Sequence, residues 1–133
     1  MGTTNIKWIS GKRFVGIDST NHSLVIATPD EAIGVKPSDL LPISLAACTS
    51  VDVVDILTKK RMTPTKFEVS VESEQDADPP WTFRKFHLRF TLSGEKLTEK
   101  AVQQAIQLSE EKYCSVAATI RATAEITTSF EIV

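Results

Sequence analysis

At 133 residues and 14.6 kDa, with 41% hydrophobic and 24% charged residues, the chain has the make-up of one folded domain (1–133) and not of a disordered, collagen-like or coiled-coil protein. A formal net charge of -2 and a pI near 5.7 argue against a nucleic-acid partner, which would need a clustered excess of Lys and Arg. The one basic run, Lys59, Lys60 and Arg61, falls where a helix is expected to end, and cations there complement the helix dipole.

The opening stretch MGTTNIKWISGKRF has neither the apolar core of a signal peptide nor a spanning segment, so a cytoplasmic protein without membrane contact is expected. From Ile6 to Pro29, short apolar stretches broken by SGKR and STNH predict two or three strands joined by hairpins. Residues 29–37, PDEAIGVKP, hold Gly34 between two prolines and predict an irregular loop.

A helix is predicted from Ser38 to about Met62, with Leu41, Leu45 and Cys48 at i, i+4, i+7 and Leu40, Ala47, Val51 and Val54 on the neighbouring stripe. Apolar positions cover most of its circumference, as in a buried central helix. Ser38 is the expected N-cap, with the Asp39 carboxylate in the first turn and Pro42 at the fourth position, where it removes a backbone hydrogen bond. One small sheet cannot cover such a helix on all sides, which implies a homodimer wrapping two copies of it.

Alternation then predicts strands through Phe67, Val69 and Val71 and through Phe86, Leu88, Phe90 and Leu92, separated by the polar loop SEQDADPPW. Ser93 and Gly94 turn the chain into an amphipathic helix with Ala101, Val102, Ala105, Ile106 and Leu108 inward. A short helical piece follows near Ser115, and a last strand runs from Ala124 to Ile132 with one wet face. The order of elements predicts an α+β fold with antiparallel sheet wherever no helix intervenes.

Two cysteines do not make a disulfide scaffold, so Cys48 and Cys114 are free thiols or a functional pair. On an apolar helix Cys48 is first of all a small hydrophobe. To react it must be a thiolate, and it lies too deep in its helix for the N-terminal dipole to help, while Asp52 and Asp55 at i+4 and i+7 would oppose the anion if they pointed at it. It would have to borrow a cation, and Arg13 is the sort of group required. Cys114 instead stands at the start of the last helical piece, where backbone N–H groups are unpaired; it either plugs the junction or serves as a second thiol. His22 and His87 lack metal-ligand spacing and mark no base, so no metal site and no cysteine hydrolase is expected.

The two cysteine contexts together resemble the OsmC/Ohr family. GVKPSDLLPISLAACTSVDVVDILTKKRM is similar to its first cysteine segment, AIQLSEEKYCSVAATI to its second, and FRKFHLRFTLSGEKL to the strand and turn between. CTSVDVVDIL looks most like the OsmC-like branch. The resemblance implies an OsmC-like fold, with antiparallel sheets around a long buried central helix in an intertwined homodimer. It also implies thiol-dependent reduction of organic hydroperoxides in oxidative-stress defence, with Cys48 peroxidatic and Cys114 resolving. No bound cofactor is implied, only an external dithiol reductant. By the same analogy Arg13 would take the place of the family's arginine. Asp39, shorter and one place later than the family's glutamate after Pro37, would take that of its carboxylate. The rival reading is a non-catalytic dimeric stress-associated or small-molecule-binding protein on the same fold.

Overall fold

A computed structural model describes residues 2–133 and divides the chain into two compact units, Met1–Leu41 and Pro42–Val133. In the first unit β1 (Asn5–Ser10), β2 (Arg13–Ile17) and β3 (Ser23–Ala27) form an antiparallel sheet in sequence order. Gly11, at φ 52°, makes the tight β1–β2 turn, and the Trp8 indole N–H donates to its carbonyl at 2.8 Å. The β2–β3 turn is held by the Asp18 carboxylate, which accepts the backbone N–H groups of Thr20 and His22 and the Thr20 hydroxyl. Those three donors hold its pKa below the usual carboxylate range.

After β3 the loop is built of two short 3-10 turns, Pro29–Glu31 and Pro37–Asp39. Between them Val35 pairs with the edge of β3, giving its N–H to Val25 and its carbonyl to Ala27. Gly34 makes this approach possible: its φ is 78°, and a Cβ there would sit 2.9 Å from the Val25 carbonyl oxygen.

The long helix α1 runs Leu40–Lys59, so Ser38 lies in the preceding 3-10 turn and is not its N-cap. Pro37 opens that turn, since its fixed φ suits a first helical position. Pro42 is consequently the third residue of α1, inside the first turn, where its missing N–H has no intrahelical partner to lose. The buried stripe of α1 is Leu45, Thr49, Val53 and Leu57, spaced by four. Leu41 and Val51 of the expected stripes face outward, and Cys48 is half-buried.

The second unit carries a three-stranded sheet in the order β4 (Lys66–Gln75), β5 (Phe83–Ser93), β6 (Glu125–Ile132). β4 and β5 are antiparallel, but β5 and β6 are parallel from Lys85↔Glu125 to Leu92↔Ile132, so this sheet is mixed and not antiparallel throughout. The intervening helices α2 (Glu99–Leu108) and α3 (Ser115–Ile120) supply the crossover that a parallel pair requires. Thr98 caps α2 by accepting the Ala101 N–H at 3.1 Å. Leu108, expected inward, is exposed at its last turn.

Central β5 sends Phe86, Leu88, Phe90 and Leu92 into the core, all fully buried. They join Leu45, Val53 and Leu57 of α1, Ala101, Val102, Ala105 and Ile106 of α2, and Cys114, Ala117 and Ile120 at α3. The opposite face carries His87, whose Nδ1 lies 2.7 Å from the Thr127 hydroxyl and Nε2 2.9 Å from that of Ser129, so the ring ties β5 to β6. By length and composition alone, 37–59 could cross a membrane, but its buried stripe is part of this core. Truncating Leu57 to Ala removes a fully buried side chain from it, and chemical denaturation is expected to show a loss of about 2–5 kcal/mol.

Candidate functional site

The two cysteines, 66 residues apart in sequence, meet within the second unit. Cys48 projects from α1, and Cys114 stands at the junction of α2 and α3, close enough for its thiol to act on that of Cys48. The junction is set by a π-helical turn over Ser109–Tyr113, in which the Cys114 N–H reaches back five residues to the Ser109 carbonyl at 2.8 Å. That turn stops α2 and starts α3 one residue after Cys114. The Cys114 sulfur then caps α3, accepting the Ala117 N–H at 3.3 Å.

Three polar groups beside the thiols complete the site. Thr49, buried in the apolar stripe, gives its hydroxyl proton to the Leu45 carbonyl at 2.9 Å, and its oxygen lies 3.8 Å from the Cys114 sulfur. Ser109, equally buried, donates to Asp52 Oδ2 at 2.7 Å. Asp52 lies one turn beyond Cys48 on the same helix. Its spacing from Cys48 was readable in the sequence; Thr49 and Ser109 were not singled out there. Thr49 betrays itself by standing at i+4 between Leu45 and Val53, where an unpaired hydroxyl would be costly. For Ser109 no local pattern announces a partner 57 residues away.

Burial pushes the Cys48 thiol above its ordinary range, and the adjacent Cys114 thiol pushes the same way, as does the charge of Asp52. Only the Val116 backbone N–H, which favours the thiolate, works against them. None of these groups is a cation, and on balance they disfavour the thiolate.

Arg13 and Asp39 both belong to the first unit. Arg13 Nε donates to Glu31 Oε2 at 2.8 Å, with the arginine side chain 46% exposed and the glutamate 16% exposed. Glu31 is therefore the carboxylate that engages Arg13; Asp39 is an exposed residue of the second 3-10 turn. Glu31 is anchored independently by the Lys12 backbone N–H on Oε1 at 2.9 Å. That N–H is the main cause of its lowered pKa, followed by Arg13. The fit leaves no room for a side chain at Gly11, whose Cβ would lie 2.6 Å from Glu31 Oε1. Among the described residues no group of His, Cys, Asp and Glu is placed to hold a metal.

A small α+β unit with paired thiols between its long helix and a π-turn defines a class of protein. Residues 28–129 match the family of OsmC-like proteins, and the chain belongs to that family. It is 33% identical over 128 residues to Protein YhfA of Escherichia coli K12, covering 96% of both chains. A solved structure of a hypothetical protein from Aquifex aeolicus superposes with a TM-score of 0.88 at 26% identity, covering 100% of this chain and 96% of that one. The organic hydroperoxide resistance protein OhrB of Bacillus subtilis shares the fold at a TM-score of 0.63 and 14% identity, covering 98% of each chain.

The thiol environment is directly measurable. In peptide-resolved alkylation, the Cys48 rate is expected to rise with pH through a midpoint above that of an ordinary thiol. Replacing Asp52 by Asn should lower that midpoint, because it removes a negative charge acting on the sulfur. A wild-type midpoint at or below the ordinary value would show instead that a cation reaches Cys48.

Proposed function

We propose that the protein is a cytoplasmic, homodimeric peroxidase that reduces organic hydroperoxides through Cys48 and Cys114. The observation that carries this reading is the meeting of the two thiols across α1 and the α2–α3 junction. The family and the fold shared with OhrB support it. In the proposed cycle the Cys48 thiolate attacks one oxygen of the O–O bond; the bond breaks, the alkoxide takes a proton and leaves as alcohol, and Cys48 becomes a sulfenic acid. The Cys114 thiol displaces its hydroxyl as water, forming the Cys48–Cys114 disulfide, and an external dithiol reduces that bond while becoming a disulfide itself. Arg13 is the proposed cation for the thiolate and Glu31 its holder, with Asp39 retained as the alternative carboxylate.

Two observations favour the rival reading, a non-catalytic stress-associated or small-molecule-binding protein. The groups acting on Cys48 raise its pKa, and the Arg13 guanidinium is engaged by Glu31. Cumene hydroperoxide consumption with a dithiol reductant separates the two. The peroxidase reading expects turnover that falls to background in Cys48→Ser, and a trappable Cys48 sulfenate after one turnover in Cys114→Ser. Absence of turnover above these variants with several peroxides and dithiols would leave the binding protein.

The homodimer has support of its own on α1, whose outer face presents Ile43 at 49% and Val51 at 70% exposure. Val51 and Val54 line a largely apolar groove of about 480 Å³ with Ser50, Asp55 and Thr58. Val51→Lys would place a charge in the covered face. Light scattering is expected to show a dimer for the wild type and a shift to monomer for this variant.

A further inference from the structure

The mechanism above uses the two sulfurs and leaves unexplained why a carboxylate stands beside a thiol that must ionise. Asp52 accepts from the Ser109 hydroxyl at 2.7 Å, and the Ser109 carbonyl accepts the Cys114 N–H at 2.8 Å. These two bonds form a continuous path from α1, one turn past Cys48, through a fully buried serine to the backbone of the second cysteine. The path crosses the π-turn, the one place where the chain departs from the α-helical ladder between α2 and α3. With a ladder bond reaching back five residues, the turn has its own geometry to maintain. Ser109 is the residue on which both ends of that geometry close.

We propose that Asp52 and Ser109 are positioning residues for the Cys48–Cys114 disulfide: together they fasten the π-turn to α1 and so hold the second thiol at bonding range of the first. This rests on the reading that the two thiols pair. The tether raises the effective concentration of Cys114 at Cys48, as preorganisation does for any intramolecular step. It requires an acceptor on residue 52 and a hydroxyl on residue 109, whatever the charge of the acceptor. Asn at 52 keeps the acceptor; Ala does not.

The test uses glutathione buffers and the full chain, without peroxide. Oxidised glutathione takes the two protein thiols to a disulfide and is released as two reduced glutathiones, and alkylation followed by mass measurement gives the equilibrium constant. Asp52→Ala and Ser109→Ala are each expected to weaken the disulfide about tenfold, a rise of about 30 mV in reduction potential. Asp52→Asn and Ser109→Thr should stay within about twofold of the wild type, and the double alanine variant should lose no more than either single one, because both cut one path. Far-ultraviolet circular dichroism confirms that each variant is folded; if an alanine variant does not fold, the matching Asn or Thr variant with wild-type potential still supports the proposal, and one with the tenfold loss overturns it.

Alanine variants with the wild-type potential, or losses that add in the double variant, overturn the tether alone. A wild type that stays a dithiol in every buffer overturns both the tether and the pairing of the thiols. A protein with no peroxidase turnover but with this pattern of potentials fails the peroxidase reading and supports the tether.

Discussion

The second unit depends on the burial of one stripe of α1 in a common core with the inward face of β5. Leu45, Thr49, Val53 and Leu57 stand four residues apart, while Phe86, Leu88, Phe90 and Leu92 stand two apart, and all eight are fully buried. Helical and strand periodicities meet in this core, so the rotation of α1 is not free. With the stripe fixed, Cys48 and Asp52 are carried to the flank of the core, beside the α2–α3 junction. A helix rotated by one position would bury Ala46 or Ser50 and turn the sulfur elsewhere. The meeting of the two thiols is thus a consequence of packing, and Thr49 shows the cost: its hydroxyl sits among aliphatic neighbours and is satisfied by its own helix.

Much of this was legible in the sequence because it is periodic. Alternation located β4, β5 and β6, and the amphipathic pattern located α2 with four of its five inward residues. The α3 start after Cys114 followed from the context of that cysteine. Two kinds of feature were not legible. The first was the facing of α1: its residues are apolar on nearly every side, so periodicity points nowhere, and Val51 looked as buried as Val53. The second was pairing at long range. The parallel β5–β6 ladder, the Arg13–Glu31 pair and the Ser109–Asp52 bond each join segments through three-dimensional closure, and no local residue pattern encodes such closure.

The carboxylate partner of Arg13 shows how a family analogy can point to the right chemistry and the wrong position. A carboxylate was sought just after Pro37, and Asp39 stood nearest. The structure satisfies the arginine from Glu31, in the earlier 3-10 turn, because the tight β1–β2 turn brings Arg13 and the Lys12 N–H against that side chain together. Half-exposed ion pairs of this sort add little to stability, so their geometry matters more than their strength. Glu31 keeps its place through the Lys12 N–H and does not need the arginine to stay folded down. Arg13 is the more exposed member of the pair, at 46% against 16% for Glu31.

Burial bears on the thiol chemistry. A half-buried Cys48 is inexpensive to maintain as a thiol: the neutral form suits its apolar neighbours, and the same partial burial disfavours the anion. A permanent cation at the sulfur would reverse this and leave a reactive thiolate exposed to every electrophile. Asp52 fits the same logic from the other side. Its charge opposes the thiolate, while its hydrogen bond to Ser109 joins α1 to the turn that carries the second thiol.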